Sequence, residues 1–186
     1  MTKNKYPIFE DVEINKYAHR EYAVGKLKRS YITFPSTPQL SPEWIDEEGG
    51  FKMPQDLTAL DSRTLGRLMS ELNGLLQWYG AVLASAKVDL LSAERIKTFT
   101  EAKVRMSIFN DPEMLKEFKA REDKEAFVNT HPDVVKAQEW YAKQQAVVMM
   151  TEQLYHDYDR SFRTVSREIS RRGSEFDRDN RVDNIK

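Results

Sequence analysis

The run Val134, Ala137, Tyr141, Gln144, Val148, Thr151, Tyr155, Tyr158, Phe162, Val165, Ile169 alternates steps of three and four without a slip. A helix turns once in 3.6 residues, so a stripe repeating every 3.5 stays against a neighbour only if the two helices pack lengthwise in a coiled-coil manner. The spacing therefore predicts one long helix with a long partner. Its start is marked in "NTHPD", where Thr130 or His131 can cap and Pro132 suits the first turn because its missing N–H would be unpaired there anyway. Gly173 is the expected stop, giving about 42 residues. Gln144 and Thr151 are polar positions in the seam, a cost that fixes register or oligomeric state.

The partner is found upstream. Leu65, Leu68, Leu72, Leu75, Tyr79, Val82 and Ala86, then Ala93 and Ile96, follow the same spacing, and Met69, Leu76, Leu83 and Leu90 form a second row every seven residues. Ser62 is the expected N-cap. Pro112 in "FNDP" disfavours helix at Asp111 and ends a helix of about 45 residues. Two helices of nearly equal length predict an all-α dominated fold: a long antiparallel two-helix, coiled-coil-like hairpin with residues 110–130 as a short helical cap. Such a hairpin leaves the second apolar row wet, which predicts a homo-oligomer.

The segment before the hairpin reads differently. Pro35, Pro38, Pro42 and Pro54 with Gly49 and Gly50 break a helix and resist a central strand, so residues 30–56 read as a linker. Residues 22–34 hold enough β-branched and aromatic side chains for one or two short strands in an otherwise irregular segment. The expected division is residues 1–56 as a basic and aromatic segment with its linker, 57–175 as the helical hairpin, and 176–186 as a disordered polar tail.

Several function classes lack the residues they need. There is no cysteine, which removes disulfides, thiolate zinc sites and cysteine nucleophiles. No GxxxxGK[ST], HExxH or GxSxG motif occurs, so neither nucleotide hydrolysis nor metal or serine hydrolysis has a motif to rest on, and the chain reads as a non-enzyme without cofactor. Glu152 and His156 share a helix face, but carboxylate di-iron bundles need Glu-x-x-His supplied twice, so no metal is expected. No apolar run approaches the length of a membrane span and "MTKNKYPIFEDVE" lacks a signal peptide's apolar core, which points to the cytoplasm and no membrane.

Nucleic acid is the ligand class with most support. The formal net charge of -1 hides an uneven distribution. "YAHREYAVGKLKRSYITF" interleaves Tyr17, Tyr22, Tyr31 and Phe34 with His19, Arg20, Lys26, Lys28 and Arg29, joining cations for phosphate to rings for base stacking. The competing reading makes these aromatics a cover for the hairpin. Near the end of the chain Arg160, Arg163, Arg167 and Arg171 form one helical stripe. An antiparallel hairpin places Ile169 near Leu65 and so brings Arg63 and Arg67 beside Arg167, Arg171 and Arg172. Against this, Asp157, Asp159 and Glu168 lie three or four residues from these arginines and can neutralise them.

The stretch "SAERIKTFTEAKVRMSIFNDPEM", followed by "THPDVVKAQEWYAKQQAVVMMTEQLYHDYDRSFRTVSREISRRG", resembles the UvsY-type recombination mediators of tailed phages and their smaller relatives. The resemblance covers roughly residues 65–175, through a basic stretch ending the first helix, a Pro-Asp step opening the second, and an arginine-rich finish. It implies a non-enzymatic oligomer in the host cytoplasm that binds single-stranded DNA and loads the phage recombinase while single-strand binding protein is displaced. It also implies that Lys97, Lys103 and Arg105 contact DNA. Residues 1–60 have no counterpart in that pattern. The alternative is a phage structural, assembly or host-directed protein acting through hairpin-mediated association, for which the near-zero net charge and the apolar surplus speak equally.

Overall fold

The computed structural model describes residues 20–24 and 35–183, with side chains to residue 178. The fold is all-α, and no strand occurs among the described residues. A 3-10 turn at Pro42–Trp44 precedes four helices: α1 (Ser62–Asn110), α2 (Pro112–Glu117), α3 (Arg121–Thr130) and α4 (Pro132–Asp183). Helices α1 and α4 have 49 and 52 residues. The chain divides into two compact units, residues 1–31 with 87–146 and residues 32–86 with 147–186, so each long helix contributes to both.

Helix boundaries follow from local chemistry. Asp61, not Ser62, caps α1: its carboxylate accepts from the Thr64 N–H at 2.7 Å, and its carbonyl accepts from Leu65 N–H. That N–H, followed by the Thr64 hydroxyl, holds the Asp61 carboxyl below its ordinary range. Asp111 lies in extended backbone and caps α2 through the Glu113 and Met114 N–H groups, with Pro112 at the first position. His131 opens α4, its carbonyl accepting from Val135 N–H and its ring Nδ1 from Asp133 N–H at 3.3 Å. The expected stop at Gly173 does not occur. The helix runs through it: a glycine inside a helix costs only about 1 kcal/mol, and Arg171 bridges to Glu175 across it at 2.6 Å. Residues 176–183, expected as a disordered tail, continue that helix.

In the unit of residues 32–86 and 147–186, Leu65, Leu68, Leu72, Leu75 and Val165 are buried, with Tyr79, Tyr158, Phe162 and Ile169 packed around them. Paired residues run in opposite directions along the two helix segments: Tyr79 stacks on Tyr158 with centroids 4.8 Å apart, while Arg172 reaches back to the Leu60 carbonyl. Burial pushes the Tyr158 phenol well above its ordinary value, and its hydrogen bond with Tyr79 adds to this. The polar seam residue Thr151 is buried, but its hydroxyl donates to the Val147 carbonyl of its own helix. It therefore sets no register through a cross-helix bond.

The expected linker is a folded strap belonging to this unit. Trp44 is only 5% exposed and joins the core cluster, with Leu40, Phe51, Met53, Leu57 and Leu60 packed against it. Prolines and glycines that exclude helix do not exclude burial: Gly49, at φ 83°, turns the chain so that Ile45 and Phe51 form an antiparallel bridge. At Gly50 a Cβ would lie 2.9 Å from the Asp46 carboxylate, which accepts the Gly50 N–H. Polar clamps fix the strap: Ser41 donates its N–H and hydroxyl to Glu71 at 2.9 and 2.5 Å, and Arg67 pairs with Glu43. Arg172 donates to the carbonyls of Leu57, Thr58 and Leu60 at 3.0, 3.0 and 2.7 Å.

In the unit of residues 1–31 and 87–146, Val104 and Ile108 of α1 pack on Val128 of α3 and Val134 of α4, flanked by Met114, Phe118 and Phe127. The opposed direction recurs, with Gln138 donating to Glu101 at 3.4 Å and Lys97 lying over the Tyr141 ring at 5.0 Å. Residues 20–24 are helical, so positions 22–24 of the expected strands are not extended, and residues 25–34 lie outside the described residues. Arg20 donates to Asp89 at 3.0 Å. Asp89 is the polar residue in the gap left between Ala86 and Ala93, and it is buried.

Candidate nucleic-acid interface

The arginine series is largely engaged with its own helix. Arg160 pairs with Asp157 at 3.5 Å, Arg163 with Asp159 at 2.8 Å, and Arg171 with both Glu168 and Glu175. Arg172 shares Glu168 at 2.7 Å and holds the strap carbonyls, so it serves as a structural fork. Hydrogen bonds from Arg171 first and Arg172 second draw the Glu168 carboxyl down to about 2. Leu65 and Ile169 do share one cluster, and Arg172 reaches the residues just before α1, so Arg63 and Arg67 lie at the same end of this unit as Arg171 and Arg172. Of these, Arg63 and Arg167 are exposed and make no ion pair among the described residues.

The N-terminal cations divide in two. Arg20 is committed to Asp89, whereas Lys26, Lys28 and Arg29 lie outside the described residues. In the same unit Lys97 is half-buried against Tyr141, while Lys103 and Arg105 are exposed on α1.

Arg105 leads to a feature that the linear sequence hides. It lines a cavity of about 420 Å³ together with Ile108, Phe109, Lys119, Arg121, Lys124 and Glu125. Four cations thus face one carboxylate, and their charges sum along a concave surface, which concentrates positive potential. The elements place them simply. Arg105 and Phe109 are one turn apart on α1 and share a face; Lys119 sits in the link between α2 and α3; Arg121 and Lys124 occupy the first turn of α3. Phe109 is 60% exposed, and Lys124 Nζ lies 5.2 Å from its ring centroid. Arg121 bonds Glu125 through Nε at 2.9 Å. Met106, next to Arg105 on α1, is also exposed, whereas Lys103 stands two residues away, roughly 200° round the helix and outside the cavity lining.

Sequence reasoning alone does not single out Phe109, Lys119, Arg121 or Lys124. Residues 106–146 carry six basic against eight acidic side chains, so the segment reads as acidic. The recoverable signal is the pair Lys119 and Arg121 flanking a helix start that follows a basic helix end by a short link.

No metal-ligating cluster of three or more His, Asp or Glu side chains occurs among the described residues. No described helix is long and apolar enough to cross a membrane. No protein family, curated protein or solved structure matches this chain.

Proposed function

We propose that this protein is a non-enzymatic recombination mediator of the tailed-phage kind, which binds single-stranded DNA as a homo-oligomer and assists loading of a strand-exchange recombinase. The observation that carries the DNA-binding part is the cationic cavity with an exposed phenylalanine in its lining. Strands bind without sequence preference where cations meet phosphate and rings meet bases, and the cavity lining holds both, Arg105 among them. The loading role, the recombinase and the displaced single-strand binding protein rest on the resemblance of residues 65–175.

Fluorescence anisotropy with an oligo-dT probe tests the reading. The wild type binds at 50 mM salt with log K falling linearly in log salt, and Arg105→Ala with Lys119→Ala weakens binding by roughly tenfold while lowering the slope by about 0.7 for each phosphate that is no longer neutralised. Absence of binding at 50 mM salt rejects the proposal.

A second reading, a protein that works by docking other proteins, has its own observation. On α4, Val147, Met150 and Leu154 recur at three and four residues and are 46%, 71% and 41% exposed, with Met149 beside them. An apolar row at coiled-coil spacing is the pattern of a helix with a partner still to come. Sedimentation velocity at micromolar concentration is expected to give a species larger than the 21.8 kDa chain, shifted toward monomer by Met150→Glu. A wild-type monomer at that concentration removes self-association from both readings.

A further inference from the structure

We infer that the cavity beside Phe109 takes one nucleotide unit of a single strand, with the phosphate held by Arg105, Lys119 and Arg121 and the base stacked on the Phe109 ring. This deepens the DNA-binding reading and rests on it. The cavity's volume lies in the range of small-ligand sites. A surface that merely neutralised phosphate would need no exposed ring in its lining, and an apolar docking groove would not be lined by four cations.

The ring is the informative element. Phe109 sits near the end of α1 with its side chain mostly in solvent, next to Ile108, which is buried in the core of this unit. The buried neighbour and the helix fix where Phe109 stands, so its exposure is a property of the framework. Lys124 lies over the ring, a cation–π contact that partly covers an otherwise wet surface. A nucleobase stacked on that ring is the stronger partner, so it displaces the ammonium. Released, Lys124 remains at the cavity wall and turns to the phosphate. The lysine thus holds the ring in the empty site and becomes an anion ligand in the filled one.

Arg121 is suited to the same phosphate. Its ion pair with Glu125 engages Nε, which leaves both Nη groups to donate to phosphate oxygens. Glu125 in turn repels an anion that approaches away from the arginine fork. Duplex DNA presents phosphates but keeps its base faces stacked, so only an unpaired strand satisfies ring and cations together.

The experiment compares the full chain against oligo-dT and an abasic oligonucleotide of equal length and salt, with dTMP as competitor. Oligo-dT binds at least roughly fivefold more tightly than the abasic strand. Phe109→Leu erases that difference and leaves abasic binding unchanged, whereas Phe109→Tyr preserves it; helix content by circular dichroism verifies that both variants fold. Lys124→Gln lowers the salt slope by about 0.7 and keeps the dT preference. Equal affinity for the two strands overturns the stacking inference while DNA binding stands. Binding of neither strand overturns both. Competition by dTMP at nucleotide concentrations below that of oligo-dT reassigns the cavity to a free nucleotide and overturns the strand assignment.

Discussion

Trp44→Ala is expected to lower the unfolding free energy by about 3–5 kcal/mol, the range for removing a buried tryptophan from a packed core. The residue lies in a stretch whose proline and glycine content marks it as a connector, and connectors tolerate such changes with little effect. Here the indole is 5% exposed and shares a cluster with Leu65, Leu68, Leu72 and Val165. Leu40 and Phe51 cannot close over a cavity of that size without moving the strap away from α1. Urea denaturation followed by helical circular dichroism measures the change. A midpoint within error of the wild type would show that the strap does not stabilise the helices. The indole Nε1 has no hydrogen-bond partner among the described residues, so Trp44→Phe removes an unsatisfied donor and is expected to cost far less than alanine.

Arg172→Lys is the second large effect, expected at about 2–3 kcal/mol despite unchanged charge, the range for hydrogen bonds from a charged donor. The guanidinium donates to three carbonyls of residues 57–60 and to Glu168 at once, a planar fork that an ammonium cannot reproduce. Those carbonyls belong to the turn that precedes α1, so losing the fork loosens the strap and the first helical turn together. The same urea series reads the loss, and Arg163→Lys, whose partner is a single surface aspartate, serves as the control with a change below about 0.5 kcal/mol. The site also carries a pH signature. Because Glu168 is held at about 2 against 4.5 for a free carboxyl, its contribution is complete above 4.5 and is lost as pH falls through 2. The urea midpoints of wild type and Arg172→Ala should therefore draw closer as pH falls through about 2, while the part owed to the three carbonyl bonds persists.

The helical class is legible because period is a strong signal. Every member of the run from Val134 to Ile169 is at least partly buried, and the first helix behaves likewise from Leu65 through Ala93. What the sequence obscures has physical causes. The strap reads as a linker because proline and glycine report what a backbone cannot do, while Trp44, Phe51, Met53 and Leu57 are the apolar residues that report its burial. Gly173 reads as a stop from its identity alone, although Arg171 and Glu175 on either side form the i,i+4 pair that carries a helix through. Of the candidate DNA ligands, Arg105 lines the cavity, Lys103 is exposed on α1 outside that lining, and Arg163, Arg171 and Arg172 face acids of their own helix. The cavity itself is assembled from three separate stretches of chain, so no short linear window reveals it.

Heptad seams are nearly degenerate: sliding one helix past another by seven residues returns apolar to apolar, and little in the run from Val134 to Ile169 forbids it. Arg172 removes that degeneracy. Its fork meets the carbonyls of residues 57–60 at one alignment only, and a slip of one heptad would carry it about 10 Å away. The strap thus acts as an index pin on a sliding scale. A chain beginning at Thr64 would keep the seam residues of this unit and lose that pin, so residues 64–86 and 147–171 should pair less uniquely there than in the longer chain.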